Sequence, residues 1–345
     1  MSTETGVSPM EASKHDDAPA GRPGLLAAVR PYVAIARPDH WFKNVFMLLG
    51  VVLAYFYQLN RPGALVSFRF LDLLWAVAAV CVVASSNYVI NEILDAPFDR
   101  NHPVKRARPV ASGQVNLAAA YAEWVLLGLV GLAMALALNR PFFLSALALL
   151  VMGLLYNIPP MRTKDWPYLD VLSESINNPL RLLLGWFAVS AADVPPVSLV
   201  VSYWMAGAFF MASKRFAEFR AIGQAEVAGA YRNSFRHYDE PRLLLSMFFY
   251  ATAAALFLGV FIIRYHVELI LSIPLIAGFF SYYLQVTLKK DSPVQNPERL
   301  YRERALMLYL VLCVAVFAVL MFVEIDALRR LFNVSEAGVP PLWKF

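Results

Sequence analysis

Residues 70–99 read FLDLLWAVAAVCVVASSNYVINEILDAPFD, and this stretch decides the class of fold. Its first part, Phe70 to Ile90, is apolar over the ~20 residues that a membrane-spanning helix needs, with Asp72 the single charge. It then runs without a break into Asn91, Glu92, Asp95 and Asp99. Carboxylates that continue a hydrocarbon-length helix are costly and need a purpose. The four-residue steps from Asn91 to Asp95 to Asp99 put amide and carboxylate oxygens on one helical face. Hard oxygen donors in a line suit Mg2+, which accepts a carboxylate or two and completes its shell with water and substrate phosphates. The competing account is a solvated helix end that marks the membrane interface, although a helix C-terminus favours cations over carboxylates.

Outward from this stretch the apolar pattern repeats. The chain has 345 residues, of which 59% are hydrophobic and only 16% charged, too apolar for a soluble domain. Nine spans are expected: Trp41 to Tyr57, Phe70 to Ile90, Leu117 to Leu138, Phe142 to Tyr156, Leu169 to Ala191, Val197 to Ala212, Leu243 to Ile263, Val267 to Leu288 and Ala305 to Val323. The first, fourth and sixth are the short ones. Spans of this length predict an all-α, polytopic bundle rather than a barrel of alternating ten-residue strands. The expected domain occupies residues 25–330, between a polar, disordered cytoplasmic tail at 1–24 and a short C-terminal tail at 331–345.

Charge sets the orientation. The even-numbered connections and the N-terminal segment carry most of the Lys and Arg, including Arg37, Lys43, Lys105, Arg106, Arg108, Arg162, Lys164, Lys214, Arg215 and Arg232. The opposite connections hold only Arg61, Arg69, Arg140, Arg264 and the C-terminal Arg329, Arg330 and Lys344. By the positive-inside rule the N-terminus and the basic loops face the cytoplasm, and an odd number of spans leaves the C-terminus outside. The net charge of +5 suits anionic headgroups or a phosphorylated substrate, and nucleic-acid binding is not implied. No cleavable signal peptide, Walker-type phosphate loop, dinucleotide fingerprint or His-Glu-x-x-His is visible. Cys81 and Cys313 lie within apolar spans and read as packing residues.

Two further cytoplasmic connections carry chemistry. Tyr156-Asn157-Ile158-Pro159-Pro160-Met161-Arg162-Thr163-Lys164 is broken by proline and predicts an extended loop at the bundle mouth. After it, Asp170, Glu174, Asn177, Asn178 and Arg181 recur at three- and four-residue steps, a polar stripe descending into the membrane along the fifth span. Such a stripe faces the bundle interior, either as a site or as an internal ion pair that fixes packing. Between the sixth and seventh spans, Lys214, Arg215 and Glu218 stand at the end of a span, where cations can collect phosphate oxygens. Arg220, Arg236 and Arg242 fit simple topology signalling.

Together these segments resemble the UbiA superfamily of intramembrane transferases, over roughly Ala36 to Val323. Asn91, Asp95 and Asp99 match the family's first Asp-rich motif, and Tyr156, Arg162, Lys164, Asp170 and Glu174 its second, about 75 residues on. The resemblance implies nine helices with cytoplasmic cap loops, and Mg2+-dependent activation of a diphosphate leaving group. It implies Asp95, Asp99, Asp170 and Glu174 as catalytic and, with Asn91, metal-binding residues. Lys105, Arg108, Tyr156, Arg162, Lys164, Asn178, Lys214 and Arg215 would meet substrate. Arg37-Pro38-x-x-Trp41-x-Lys43-Asn44, His102-Pro103-x-Lys105-Arg106-x-Arg108-Pro109 and the segment at Tyr231-Arg232 look like the branch of decaprenyl-phosphate phosphoribosyltransferases. That branch moves phosphoribose from phosphoribosyl diphosphate to a polyprenyl phosphate. Pro159-Pro160-x-Arg162-x-Lys164 looks more like prenyltransferases that alkylate an aromatic or isoprenoid acceptor. Glu92 and Glu174 stand where the family often has Asp, which lengthens the arm. A transporter or lipid-binding protein would also place acids inside a bundle, but with internal repeats and midplane polar residues, and neither pattern is visible here.

Overall fold

The computed structural model describes residues 25–59, 70–100, 105–295 and 297–332. The tail at 1–24, His102 and Pro103, and the C-terminal segment from 333 onward lie outside them. Among the described residues the regular elements are all helical: α1 (Leu25–Ile35), α2 (Met47–Leu59), α3 (Phe70–Asp99), α4 (Leu117–Leu138), α5 (Arg140–Asn157), α6 (Leu169–Ser175), α7 (Asn177–Val189), α8 (Val197–Ile222), α9 (Ala225–Tyr231), α10 (Glu240–Tyr265), α11 (Ile273–Thr287), α12 (Arg304–Leu320) and α13 (Asp326–Leu331). Short 3-10 turns link several of them, including Pro38–Phe46, which leads into α2, and Val267–Ser272, which leads into α11.

Among the described residues, 7 helices are long and apolar enough to cross a membrane. Their outward faces carry large apolar side chains such as Leu126, Leu129, Leu245, Phe248, Phe249 and Leu308, each more than half exposed. Side chains of this kind in such numbers require lipid as solvent, so the chain is an integral membrane protein. The two expected spans that fall short are the fifth and the ninth. The ninth, α12, has 17 residues. The fifth is broken into α6 and α7 at Ile176, because Pro179 has no N–H to give the carbonyl of Ser175, four residues back. The first, fourth and sixth, read as short, are extended by their neighbours: α8 runs on to Ile222 and α5 begins at Arg140.

Helix ends follow local chemistry. Asn116 caps α4 by accepting from the amide of Ala119 at 3.1 Å, and Asn139 caps α5 by accepting from that of Phe142 at 2.8 Å. The amide of Asn139 also donates to the carbonyl of Phe187 at 2.8 Å, tying the α4–α5 turn to α7. α2 and α7 pack backbone to backbone: a Cβ at Gly50 would sit 1.9 Å from the carbonyl oxygen of Leu182, and one at Gly185 1.8 Å from that of Met47. Only glycine permits this approach.

Three apolar cores follow among the described residues, the smallest around Ile35, Val89, Ile93 and Val110, where α1, the end of α3 and the α3–α4 loop meet. One of the larger two, around Met47, Val80, Phe142, Leu149, Leu182 and Trp186, joins α2, α3, α5 and α7. The other, around Phe209, Phe216, Phe235, Tyr250 and Tyr283, joins α8, α10 and α11 to the segment after α9. At one end of the bundle, fully buried Glu268 accepts from the amide of Ile325 and from Nε of Arg329, both at 3.0 Å, which ties α13 to the turn before α11. At the other end stand the acidic termini of α3 and α6.

Candidate active site

α3 carries its helix nine residues past Ile90, and this extension sets Asn91, Asp95 and Asp99 along one face, as their spacing predicts, while Ile93 and Ala96 pack into the smallest core. Each aspartate meets cations from loops. Oδ1 of Asp95 pairs with Nζ of Lys164 at 2.5 Å and Nη2 of Arg162 at 3.3 Å, and its Oδ2 accepts from Asn91 Nδ2 at 3.2 Å. Asp99 Oδ2 pairs with Nη1 of Arg108 at 2.6 Å. Asn157, the last residue of α5, receives hydrogen bonds on Oδ1 from Asn91 at 2.6 Å and Lys164 at 3.0 Å. Glu92 departs from this face: it is buried and accepts from the amide of Val110 at 3.3 Å, so it anchors the α3–α4 loop instead of joining Asp95.

The loop expected to be extended folds into a turn of 3-10 helix at Thr163–Asp165, and this turn presents Lys164 inward. Burial pushes the Lys164 amine down while Asp95 pulls it up, and burial is the larger influence. Arg162 is braced by Asp165, whose Oδ2 lies 3.0 Å from its Nε, and by the ring of Phe98, 5.0 Å from its Cζ. Lys105 stands over the ring of Tyr231 at 5.6 Å, and burial, reinforced by Arg108, lowers its pKa.

The second cluster is built around Arg215. This residue of α8 is 2% exposed and reaches Asp170 through Nε at 3.2 Å, Glu174 through Nη2 at 2.5 Å and Glu218 through Nη1 at 3.1 Å. Asp170 is fully buried; its Oδ1 accepts from Tyr238 Oη at 2.7 Å and its Oδ2 from Ser234 Oγ at 3.1 Å. Lys214 lies 3.8 Å from Glu218. Asn178 takes no hydrogen bond in the cluster and packs against Gly207 of α8. Arg220 and Arg242 turn to backbone carbonyls at Leu288 and His237 and pair with Glu240 and Asp239, and Arg236 turns to the carbonyl of Gly229, so none of the three pairs with an acid of the cluster.

Tyr156 joins the two clusters. Its hydroxyl donates to Glu174 Oε2 at 2.9 Å and accepts from Arg232 Nη2 at 2.9 Å, while Lys164 Nζ lies 5.8 Å from its ring centre. Arg232 lies outside the site residues that the resemblance implies, and it extends the cluster: its Nε lies 3.7 Å from Asp170 and, among the described residues, is a buried donor with no hydrogen-bond partner. Tyr238, Ser234 and Asn157 are likewise additions. The one sequence signal for any of them was the Tyr231-Arg232 segment.

Among the described residues no three His, Cys, Asp or Glu side chains gather closely enough to hold a metal by themselves. Asp170 and Glu174, expected as metal ligands, have their oxygens directed at Arg215, Tyr156, Ser234 and Tyr238. Asp95 and Asp99 with the amides of Asn91 and Asn157 remain a hard-oxygen donor set, and it fits a Mg2+ that takes most of its shell from water and a phosphorylated substrate. Acids alternating with Lys105, Arg108, Arg162, Lys164, Arg215 and Arg232 can hold a polyphosphate and its counter-ion together.

The UbiA prenyltransferase family model matches residues 45–302. The chain belongs to the UbiA family of transferases. Among its UbiA relatives, decaprenyl-phosphate phosphoribosyltransferase of Mycolicibacterium smegmatis is 30% identical over 245 residues, covering 68% of this chain and 69% of the relative. The protein of the same name from Mycobacterium tuberculosis is 31% identical over 241 residues, covering 68% and 74%. In fold the chain is similar to a UbiA homologue from Archaeoglobus fulgidus solved with GPP and Mg2+, at a TM-score of 0.62 and 20% identity over 85% of this chain and all of that one.

Proposed function

We propose that this UbiA-family enzyme transfers a phosphoribosyl group from phosphoribosyl diphosphate to a polyprenyl phosphate at the cytoplasmic face of the membrane. One observation carries the reading: Asp95 and Asp99, one helical turn apart, are each held by basic side chains from separate loops, so acids and cations for a metal-bound diphosphate already meet at one place. The names of the mycobacterial relatives support the phosphoribosyl donor and lipid phosphate acceptor.

Asp95 and Asp99, with Asn91, would hold Mg2+, which when bound neutralises charge on the diphosphate leaving group. Arg108, Arg162 and Lys164 exchange carboxylate partners for diphosphate oxygens and, with Lys105, stabilise the charge that grows as the C1–oxygen bond breaks. Asp170 holds Arg215 and Arg232 in place from behind, and Glu174 with Tyr156 keeps Arg232 directed at the same mouth. A phosphate oxygen of the acceptor takes the ribose carbon as diphosphate departs. The long lipid chain enters between helices, which explains why the site sits at a membrane face. In this reading α6–α7 and α12 complete nine spans, the basic loops cap the site on the cytoplasmic side, residues 25–330 form one domain and the C-terminus lies outside.

The test is product mass. Purified protein with Mg2+, phosphoribosyl diphosphate and polyprenyl phosphate should yield polyprenyl phosphoribosyl phosphate and diphosphate, and EDTA should stop the reaction until Mg2+ is returned. Product formed only from a prenyl diphosphate and an aromatic or isoprenoid acceptor would replace this reading with prenyl transfer, the reaction that Pro159-Pro160-x-Arg162-x-Lys164 suggests. Transport of labelled substrate by vesicles with no product would remove the enzymatic reading altogether.

A further inference from the structure

The site's basic residues Arg108, Arg162, Lys164, Arg215 and Arg232 each pair with a carboxylate. Arg181 does not. It lies on α7, seven residues past Glu174 and beyond the break at Ile176. Nε donates to Oδ1 of Asn44 at 3.1 Å, and Nη1 reaches the carbonyl of Asn177 at 3.4 Å. Nη2 donates to nothing among the described residues. Among the described residues, Tyr88, Tyr203 and Cys81 act on Arg181 electrostatically, and none of them is an anion at neutral pH.

Its orientation is fixed from the opposite side. Buried Asn44 donates through Nδ2 to Sγ of Cys81 at 3.2 Å, which turns its carbonyl oxygen toward Nε. The Nη1–Nη2 edge is left, the planar fork that takes a phosphate bidentately. A guanidinium held inside a span with no anion is costly in hydrocarbon, and intramembrane cations of this kind mark substrate groups. An anion that arrives with the lipid supplies the missing charge. A neutral acceptor, alcohol or hydrocarbon, does not.

We infer that Arg181 is the specificity-determining residue for the phosphate monoester at the head of the lipid acceptor, so that the protein selects a polyprenyl phosphate over the matching polyprenol. This rests on the proposed transfer to a lipid acceptor and adds which residue recognises it and by what chemistry. Binding tests it without turnover. Purified protein in detergent with EDTA and no donor is titrated with radiolabelled polyprenyl phosphate and, separately, with polyprenol of equal chain length. The wild type should favour the phosphate, and Arg181→Gln should weaken its binding about tenfold or more while leaving polyprenol within about twofold, the scale of a lost charge-assisted hydrogen bond. Arg181→Lys keeps the charge but loses the fork, and should fall between the two.

Equal phosphate affinity in wild type and Arg181→Gln overturns the inference. So does an equal loss of both lipids in Arg181→Gln, which marks a packing role. Inorganic phosphate should compete only weakly, and displacement of the lipid by low-millimolar phosphate would assign the fork to a free anion and overturn the lipid assignment. Failure of the phosphoribosyl-transfer reading appears separately, as selective lipid phosphate binding with no phosphoribosylated product once donor and Mg2+ are added.

Discussion

Arg215 gives the most demanding test of how the site is held together. Three nitrogens of one buried guanidinium serve three acids on α6 and α8, at 3.2, 2.5 and 3.1 Å. Arg215→Met leaves Asp170, Glu174 and Glu218 facing one another, with Arg232 at 3.7 Å from Asp170 and Lys214 at 3.8 Å from Glu218 as the nearby cations. Removing one partner of a buried ion pair costs ~3–5 kcal/mol. The side chains of Glu174 and Glu218 are 30% and 16% exposed, so solvent screens their share and most of the loss falls on fully buried Asp170. A loss of about 3 kcal/mol is therefore expected for Arg215→Met. Arg215→Lys restores the charge, but a single ammonium cannot span three acceptors arranged for a planar fork, and about 2 kcal/mol should be lost. Glu218→Gln removes only the outermost pair and should cost less than either. The assay is reversible unfolding in mixed detergent micelles, read by helical circular dichroism at neutral pH. A loss under about 1 kcal/mol for Arg215→Met, or wild-type stability for Arg215→Lys, would refute the view that this arginine clamps α6 to α8.

Asp95→Asn and Asp99→Asn should each lower turnover by at least about 100-fold, the scale of a lost electrostatic contact to the leaving group, while the proteins still insert and purify; wild-type rates in both would sink the metal assignment. Lys105 has its pKa lowered by burial from the ordinary 10.5. The sign follows from linkage: the buried ammonium opposes folding, so stability rises as pH climbs through its depressed value toward 10.5, whereas donor binding, which needs the charge, falls. The KM for the donor should climb on the alkaline side in wild type and flatten in Lys105→Gln; superimposable profiles would count against a role for this lysine. Gly185→Ala places a methyl 1.8 Å from the Met47 carbonyl and should destabilise the α2–α7 contact by roughly 1–3 kcal/mol, read by the same unfolding assay, with unchanged stability as the contrary result.

Much of this was legible residue by residue. The bounds of α4 are those of the apolar run Leu117 to Leu138, because hydrocarbon requires every backbone group in a span to bond within its own helix. The line Asn91–Asp95–Asp99 was readable from its period. The fifth span, apolar from Leu169 to Ala191, is two helices in the structure, since composition is blind to the hydrogen bond that Pro179 fails to make. Glu92 stands in the same acidic run as Asp95, but it accepts from the amide of Val110 and anchors the α3–α4 loop, a pairing that the run does not reveal.

The sequence by itself determined a helical membrane protein of the UbiA type with acids and cations at one end, because length in hydrocarbon and spacing on a helix are local properties. Only the tertiary structure decided which acid meets which cation: Asp170 finds Arg215, Ser234 and Tyr238 across 45, 64 and 68 residues of chain. Pairings at such separations leave no period in the sequence, since they arise from how whole helices and loops pack once each has formed. Among the described residues, the same packing gives Arg181 an asparagine and a backbone carbonyl but no carboxylate.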